Sequence, residues 1–130
     1  MKERLGPIGL FKKAIFIDYS NLVGRSTRRE YWWFSVLNLI IYFLLNIAAT
    51  VVGDFLRIQI YNALILVYLI FTFIPGIAVS VRRLHDIGRS GWWLLLAIIP
   101  GFWWVILFLF FCMDSEIGVN KYGINPKIDL

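Results

Sequence analysis

Three long stretches of this chain carry no charged side chain, and they constrain everything else about it. Tyr31 to Val52 is 22 residues long and contains no Asp, Glu, Lys, Arg or His. As a helix it measures about 33 Å, enough to cross a hydrocarbon layer of about 30 Å. Ile58 to Val81 is a second such run and Gly91 to Met113 a third. Of the 130 residues, 60% are hydrophobic and 16% charged. Soluble domains sit nearer half and a quarter. The chain therefore reads as a single membrane domain over residues 1–130 and as an all-α fold. It is a polytopic helical membrane protein with three main transmembrane helices, over about 31–52, 58–81 and 91–113.

Each run has its own internal pattern. In the first, Ser35, Asn38, Tyr42, Asn46, Ala49 and Gly53 recur at steps of three and four, which makes one polar and small-residue stripe. Such a stripe faces other helices rather than lipid. In the second, Tyr61, Ile65, Tyr68, Thr72, Gly76 and Ser80 keep the same spacing. Asn38, Asn46, Thr72, Gly76 and Ser80 are thus the helix-packing candidates. Pro75 predicts a kink. Gly53 to Arg57 reads as a tight loop joining the first two spans into a hairpin. The third run has Pro100-Gly101 near its middle. It is either one kinked span or two half-length segments forming a re-entrant hairpin, and the kinked span is the expectation.

The segments between the runs are basic. The N-terminal segment, residues 1–30, carries seven Lys and Arg, and the connector between the second and third runs carries three. The first loop has one and the polar tail, residues 114–130, has two. This asymmetry predicts a cytoplasmic N-terminus and connector. Three spans then send the tail outside, whereas a re-entrant hairpin returns it to the cytoplasm. The net charge of +5 sits beside the apolar runs, so it reads as membrane topology and no nucleic-acid partner is expected. Ile8, Phe11, Ile15 and Phe16 share a helical face with Lys12 and Lys13 opposite, as in a short helix lying on a lipid surface. A basic tail without structure is the alternative.

Two polar clusters abut the apolar runs. Thr27 with Glu30 forms a capping box that predicts a helix start. Tyr31, Trp32 and Trp33 follow at headgroup depth. In the connector, Gly88 is a left-handed cap residue and Ser90 an N-cap for the next helix. Together the clusters offer Arg25, Arg28, Arg29, Arg82, Arg83 and Arg89 against only Glu30 and Asp86. The surplus is expected to meet anionic lipid headgroups, whose phosphates arginine binds bidentately. Ordinary topology signals are the plainer alternative.

Little here suggests chemistry. His85 is the only histidine and Cys112 the only cysteine, too few for a metal site of three or four ligands. Ser90, His85 and Asp86 could be drawn as a triad, but no nucleophile elbow surrounds them. His85 reads better as a hydrogen-bonded structural residue. No catalytic residue, metal or cofactor is assigned. No Asp, Glu, Lys, Arg or His lies inside a run, where ion-coupled transporters usually place one.

Gly24-Arg25-Ser26, Arg28-Arg29-Glu30-Tyr31-Trp32, the long Arg82 to Trp93 motif and Asn120-Lys121-Tyr122-Gly123 resemble the domain of unknown function 805 family of small YhaH-like bacterial inner-membrane proteins. The resemblance runs from about Phe11 to Pro126. Ile124 stands where a proline is expected, and Asp114-Ser115 replaces a Pro-Gly-like turn. The resemblance implies a bacterial inner-membrane location, multi-pass, and supplies no activity. The candidate cytoplasmic-face motif is Arg25, Arg28, Arg29, Glu30, Arg82, Arg83, His85, Asp86, Arg89 and Ser90. The function expected is a non-enzymatic membrane protein binding lipid headgroups or another protein, a second copy of itself included. An oligomeric transporter or channel component and a lipid-acting enzyme are the alternatives.

Overall fold

A computed structural model describes residues 5–56 and 60–127 of the chain. Among these residues the fold is helical. A short helix, α1, spans Pro7–Lys12. It runs into a π-helical turn, Lys13–Ile17. Pro7 suits the first helical position, because its missing N–H would have no partner there. Two long helices follow, α2 over Arg28–Leu56 and α3 over Ile60–Asp86. A 3-10 helix covers Gly91–Ile98 and a last α-helix, α4, covers Phe102–Cys112.

Thr27 starts α2 as its capping box predicts, since its Oγ1 accepts from the Glu30 N–H at 3.1 Å. The expected loop at Gly53 is absent, because α2 remains helical through Leu56. Nothing in Gly53-Asp54 forbids helix, and glycine there costs only about 1 kcal/mol. Arg57 lies outside the described residues. Both α2 and α3 are long and apolar enough to cross a membrane.

The two long helices lie antiparallel, with Phe34 near Gly76 and Asn38 near Tyr68. Ser35, Asn38, Tyr42, Asn46, Ala49 and Gly53 are all half-buried, while Leu39, Phe43, Leu44 and Ile47 between them are exposed. Thr72 is buried and Ile65, Tyr68, Gly76 and Ser80 half-buried along α3. In water this arrangement would leave an apolar surface far beyond what soluble proteins tolerate; a bilayer reverses that cost. Among the described residues, Asn38 is the packing candidate that bonds across the pair, accepting from the Tyr68 hydroxyl at 2.6 Å. Asn46, Thr72 and Ser80 bond carbonyls one turn back in their own helices, and Gly76 leaves room for Phe34.

The N-terminal segment is built into the helix pair. Ala14 and Ile15 are buried with Phe34 and Val79, and Phe11 stacks on Phe34 at 5.6 Å. Ile8 and Phe16 point away, exposed. The expected lipid face is therefore split: half of it packs inside. Lys13 also departs from expectation. The π-helical turn rotates it inward, where it bonds Glu30 at 3.1 Å.

The third apolar run corrects the expectation of one kinked span. A continuous helix would hold Arg89 and Ser115 about 39 Å apart. Instead both ends of the run meet the end of α3: the Arg89 N–H donates to the Leu84 carbonyl at 2.9 Å, and Ser115 Oγ donates to Asp86 at 2.5 Å. The run turns back at Gly101, whose φ of 102° is open to glycine and costly for other residues. The arms touch along their length, Trp93 against Phe110 at 5.5 Å and the Trp104 indole onto the Ala97 carbonyl at 3.0 Å. Each arm is about 16 Å long, half of a hydrocarbon layer. Gly91 lets the first arm approach α3, since a Cβ there would sit 2.8 Å from Val81 Cγ1.

Candidate functional site

The sequence clusters converge at the end of the helix pair where α3 stops. α3 closes with paired bonds, Arg89 N–H to Leu84 carbonyl at 2.9 Å and Gly88 N–H to His85 carbonyl at 3.1 Å. Gly88 adopts the left-handed conformation these bonds require, with φ 74°. Ser90 caps the next helix by accepting from the Trp92 N–H. These caps fix the direction of Arg82, Arg83, His85 and Asp86.

Asp86 is the hub. Its side chain is wholly buried. Oδ1 accepts from Arg25 Nε at 3.0 Å, while Oδ2 accepts from Arg83 Nη1 at 2.6 Å and from Ser115 Oγ. Two guanidiniums around one carboxylate leave a positive excess, which backbone carbonyls offset. Arg25 donates to Glu116, Gly118 and Gly123 carbonyls and to that of Asp86 itself. Arg83 donates to the Phe111 and Met113 carbonyls. The tail is thus wrapped around two arginines, and the Glu116 N–H closes the loop onto the Asp86 carbonyl at 2.8 Å.

A second centre lies beside it. Arg82 Nη1 meets Asp18 at 3.0 Å and Glu30 at 3.1 Å. Lys13 meets the same two carboxylates, each at 3.1 Å. Burial pushes the Asp18 carboxyl up, but the Asn21 hydrogen bond and the charges of Arg82 and Lys13 outweigh it and hold it below the usual range. The centres are joined through the backbone, as Ser26 N–H donates to the Arg82 carbonyl at 3.0 Å. Arg82 Nε and Nη2 and Ser26 Oγ are buried with no hydrogen-bond partner among the described residues.

The remaining motif residues lie outside these centres. His85 Nδ1 faces the Gly24 carbonyl at 3.1 Å, and its ring stacks on Tyr122 at 3.8 Å. Arg89 lies over the rings of Trp93 and Phe110. Arg28 reaches Asp114 at 3.5 Å on the surface, and Arg29 is exposed. A Ser90-His85-Asp86 relay is not assembled, because both Asp86 oxygens are taken by Arg25, Arg83 and Ser115. The expected surplus, six arginines against two acids, is also smaller than composition implies. Arg25, Arg82 and Arg83 are buried, and Lys13, Asp18, Ser115 and the tail carbonyls, none of them foreseen, complete the site.

The residues in these two centres fall within residues 19–124, apart from Lys13 and Asp18, and that range matches the family model described as Protein of unknown function (DUF805). The chain belongs to this family. It is similar to inner membrane protein YhaI of Escherichia coli strain K12, 38% identical over 88% of this chain and 92% of that protein. Inner membrane protein YhaH of the same organism is 38% identical over 86% of this chain and 92% of its own length. The uncharacterised Escherichia coli protein YiiR is 36% identical over 80% of this chain and 84% of its own length. No solved structure matches this DUF805 chain.

Proposed function

We propose that this protein is a non-enzymatic integral protein of the bacterial inner membrane that binds anionic lipid headgroups at its cytoplasmic face. In this reading α2 and α3 span the bilayer, the third run is a re-entrant hairpin, and N-terminus, connector and tail are all cytoplasmic. Twelve of the thirteen Lys and Arg residues belong by sequence to those three segments, and one, Arg57, lies between the first two charge-free runs. That bias supports the orientation. The names of the relatives support the compartment.

The observation that carries the headgroup reading is the sorting of the cations. Arg25, Arg82 and Arg83 are buried and turned inward, onto acids and carbonyls. Arg29, Arg89 and Lys121 are exposed and make no ion pair among the described residues. Arg89 lies over the rings of Trp93 and Phe110, and tryptophan is favoured at the membrane–water interface, which supports a headgroup-level position for this arginine.

The test is native mass spectrometry of the full chain in detergent, titrated with phosphatidylglycerol or phosphatidylethanolamine. Preferential retention of phosphatidylglycerol, lost in Arg29→Gln/Arg89→Gln/Lys121→Gln, supports the reading; equal retention of both lipids overturns it. A reporter fused after Leu130 tests the topology separately, and periplasmic activity there would contradict the re-entrant arrangement.

A further inference from the structure

A groove of about 890 Å³ runs between α3 and the first arm of the hairpin. Leu69, Phe73 and Ile77 form one wall, and Leu94, Leu95 and Ile98 belong to the other. These residues belong to the second and third charge-free runs, at depths where only hydrocarbon or another membrane segment can enter. One end of the groove is different. His85, Ser90 and Tyr122 line it there.

This polar end has hydrogen-bonding capacity to spare. The Gly24 carbonyl accepts from His85 Nδ1, which places the proton on that nitrogen, and Nε2 bonds nothing among the described residues. Ser90 Oγ accepts from Trp92 N–H, and its own proton meets no acceptor among the described residues. The Tyr122 stack holds the imidazole plane in place, with 5° between the rings. Two exposed cations flank the mouth in sequence, Arg89 beside Ser90 and Lys121 beside Tyr122. Lys121 Nζ lies 5.0 Å from the Tyr122 ring centre. Glu116, the acid beside Gly88, is held by Asn120 at 2.8 Å.

An apolar trough with a polar mouth, and with Lys121 against the Tyr122 that lines it, has the complementarity of one lipid molecule. We infer that the groove holds an acyl chain of an anionic phospholipid, with the phosphate at the His85–Ser90 mouth. This rests on the headgroup reading above and adds a chain site to it. The re-entrant arms open the groove from the membrane side. The buried Asp86 network fixes the mouth, because His85 and Asp86 share the last turn of α3.

The test uses the full chain in nanodiscs containing phosphatidylglycerol with a photoactivatable diazirine near the end of one acyl chain. Labelled peptides are mapped by mass spectrometry. The expected result is concentrated labelling of the Leu69–Phe73 and Leu95–Ile98 segments. That label should be lost in Ala97→Trp and in Leu69→Trp, which fill the groove from opposite walls. Labelling of the outward residues Leu44 and Ile47 on α2 should persist in both variants and reports that they are folded. Groove labelling no stronger than that of Leu44 and Ile47, or unchanged in both filled variants, overturns the inference. So does equal groove labelling by a phosphatidylethanolamine probe, or chain-to-chain crosslinks from photoleucine at Leu95, which would make a second copy the occupant. Retained phosphatidylglycerol preference in native mass spectrometry without groove labelling would leave the headgroup reading standing and remove this one alone.

Discussion

The Tyr19 hydroxyl donates to the backbone carbonyl of Phe71 at 2.7 Å. Phe71 is the residue four before Pro75, so its carbonyl is the acceptor that the proline leaves without an intrahelical N–H. Tyr19 supplies the missing donor from outside the helix, and its ring meets the Phe71 ring at 5.3 Å. The N-terminal segment thus acts as a splint on the interrupted turn of α3.

Tyr19→Phe keeps the ring and removes only the donor. We expect a loss of about 1 kcal/mol, as for one hydrogen bond to a carbonyl. In a Pro75→Ala background the alanine N–H refills that carbonyl, and the same change should cost clearly less. Thermal unfolding of the four proteins in detergent gives the coupling. Additive effects would show that Tyr19 and Pro75 act independently.

Arg25 and Arg82 are both buried arginines, yet they use their guanidiniums differently. Arg25 engages Nε, Nη1 and Nη2, whereas Arg82 bonds its acids through Nη1 alone. A lysine carries one point charge and no planar fork. Arg25→Lys should therefore destabilise by on the order of 3 kcal/mol, since charged hydrogen bonds are lost from a buried site. Arg82→Lys should be tolerated better. Melting temperatures that rank the two the other way would contradict this division of roles.

Asp18 ties stability to acid. Its carboxyl is held below its ordinary value of 3.8. The folded state therefore binds this proton less readily than the unfolded state, so the contribution is complete above the ordinary value. It is lost as pH falls through the lowered one. The stability gap between the wild type and Asp18→Asn should be constant near neutrality and shrink below about pH 4. Melting curves from pH 6 downward check this, and a gap that widens in acid would show the sign to be wrong.

The local signals in the sequence were legible because their causes are local. The Thr27 cap, the Gly88 left-handed turn and the Ser90 cap each depend on bonds within a few residues. The polar and small-residue stripes of α2 and α3 follow from helical spacing alone. The third run was read as one span because hydropathy measures how apolar a segment is and not its direction. Only the contact that returns its far end to the end of α3, Ser115 with Asp86, decides that. The ion network was half legible. Composition showed the arginines and two acids, but the rest depends on partners far along the chain: Lys13 for Glu30, Asp18 for Arg82, and tail carbonyls for Arg25. Counting charges misses a carbonyl, and the surplus of arginine was therefore overstated.

Asp86 clasps Arg25, Arg83 and the tail into one buried unit. Removing its charge would leave two guanidiniums uncompensated, at a cost of about 3–5 kcal/mol for a buried pair. Asp114 is the natural comparison, because it pairs with Arg28 and Lys127 on the surface. Exposed pairs of this kind contribute little. Thermal unfolding of Asp86→Asn beside Asp114→Asn in the same detergent is the direct measurement. The clasp predicts a large fall in melting temperature for Asp86→Asn and almost none for Asp114→Asn; equal melting temperatures in the two variants would contradict it.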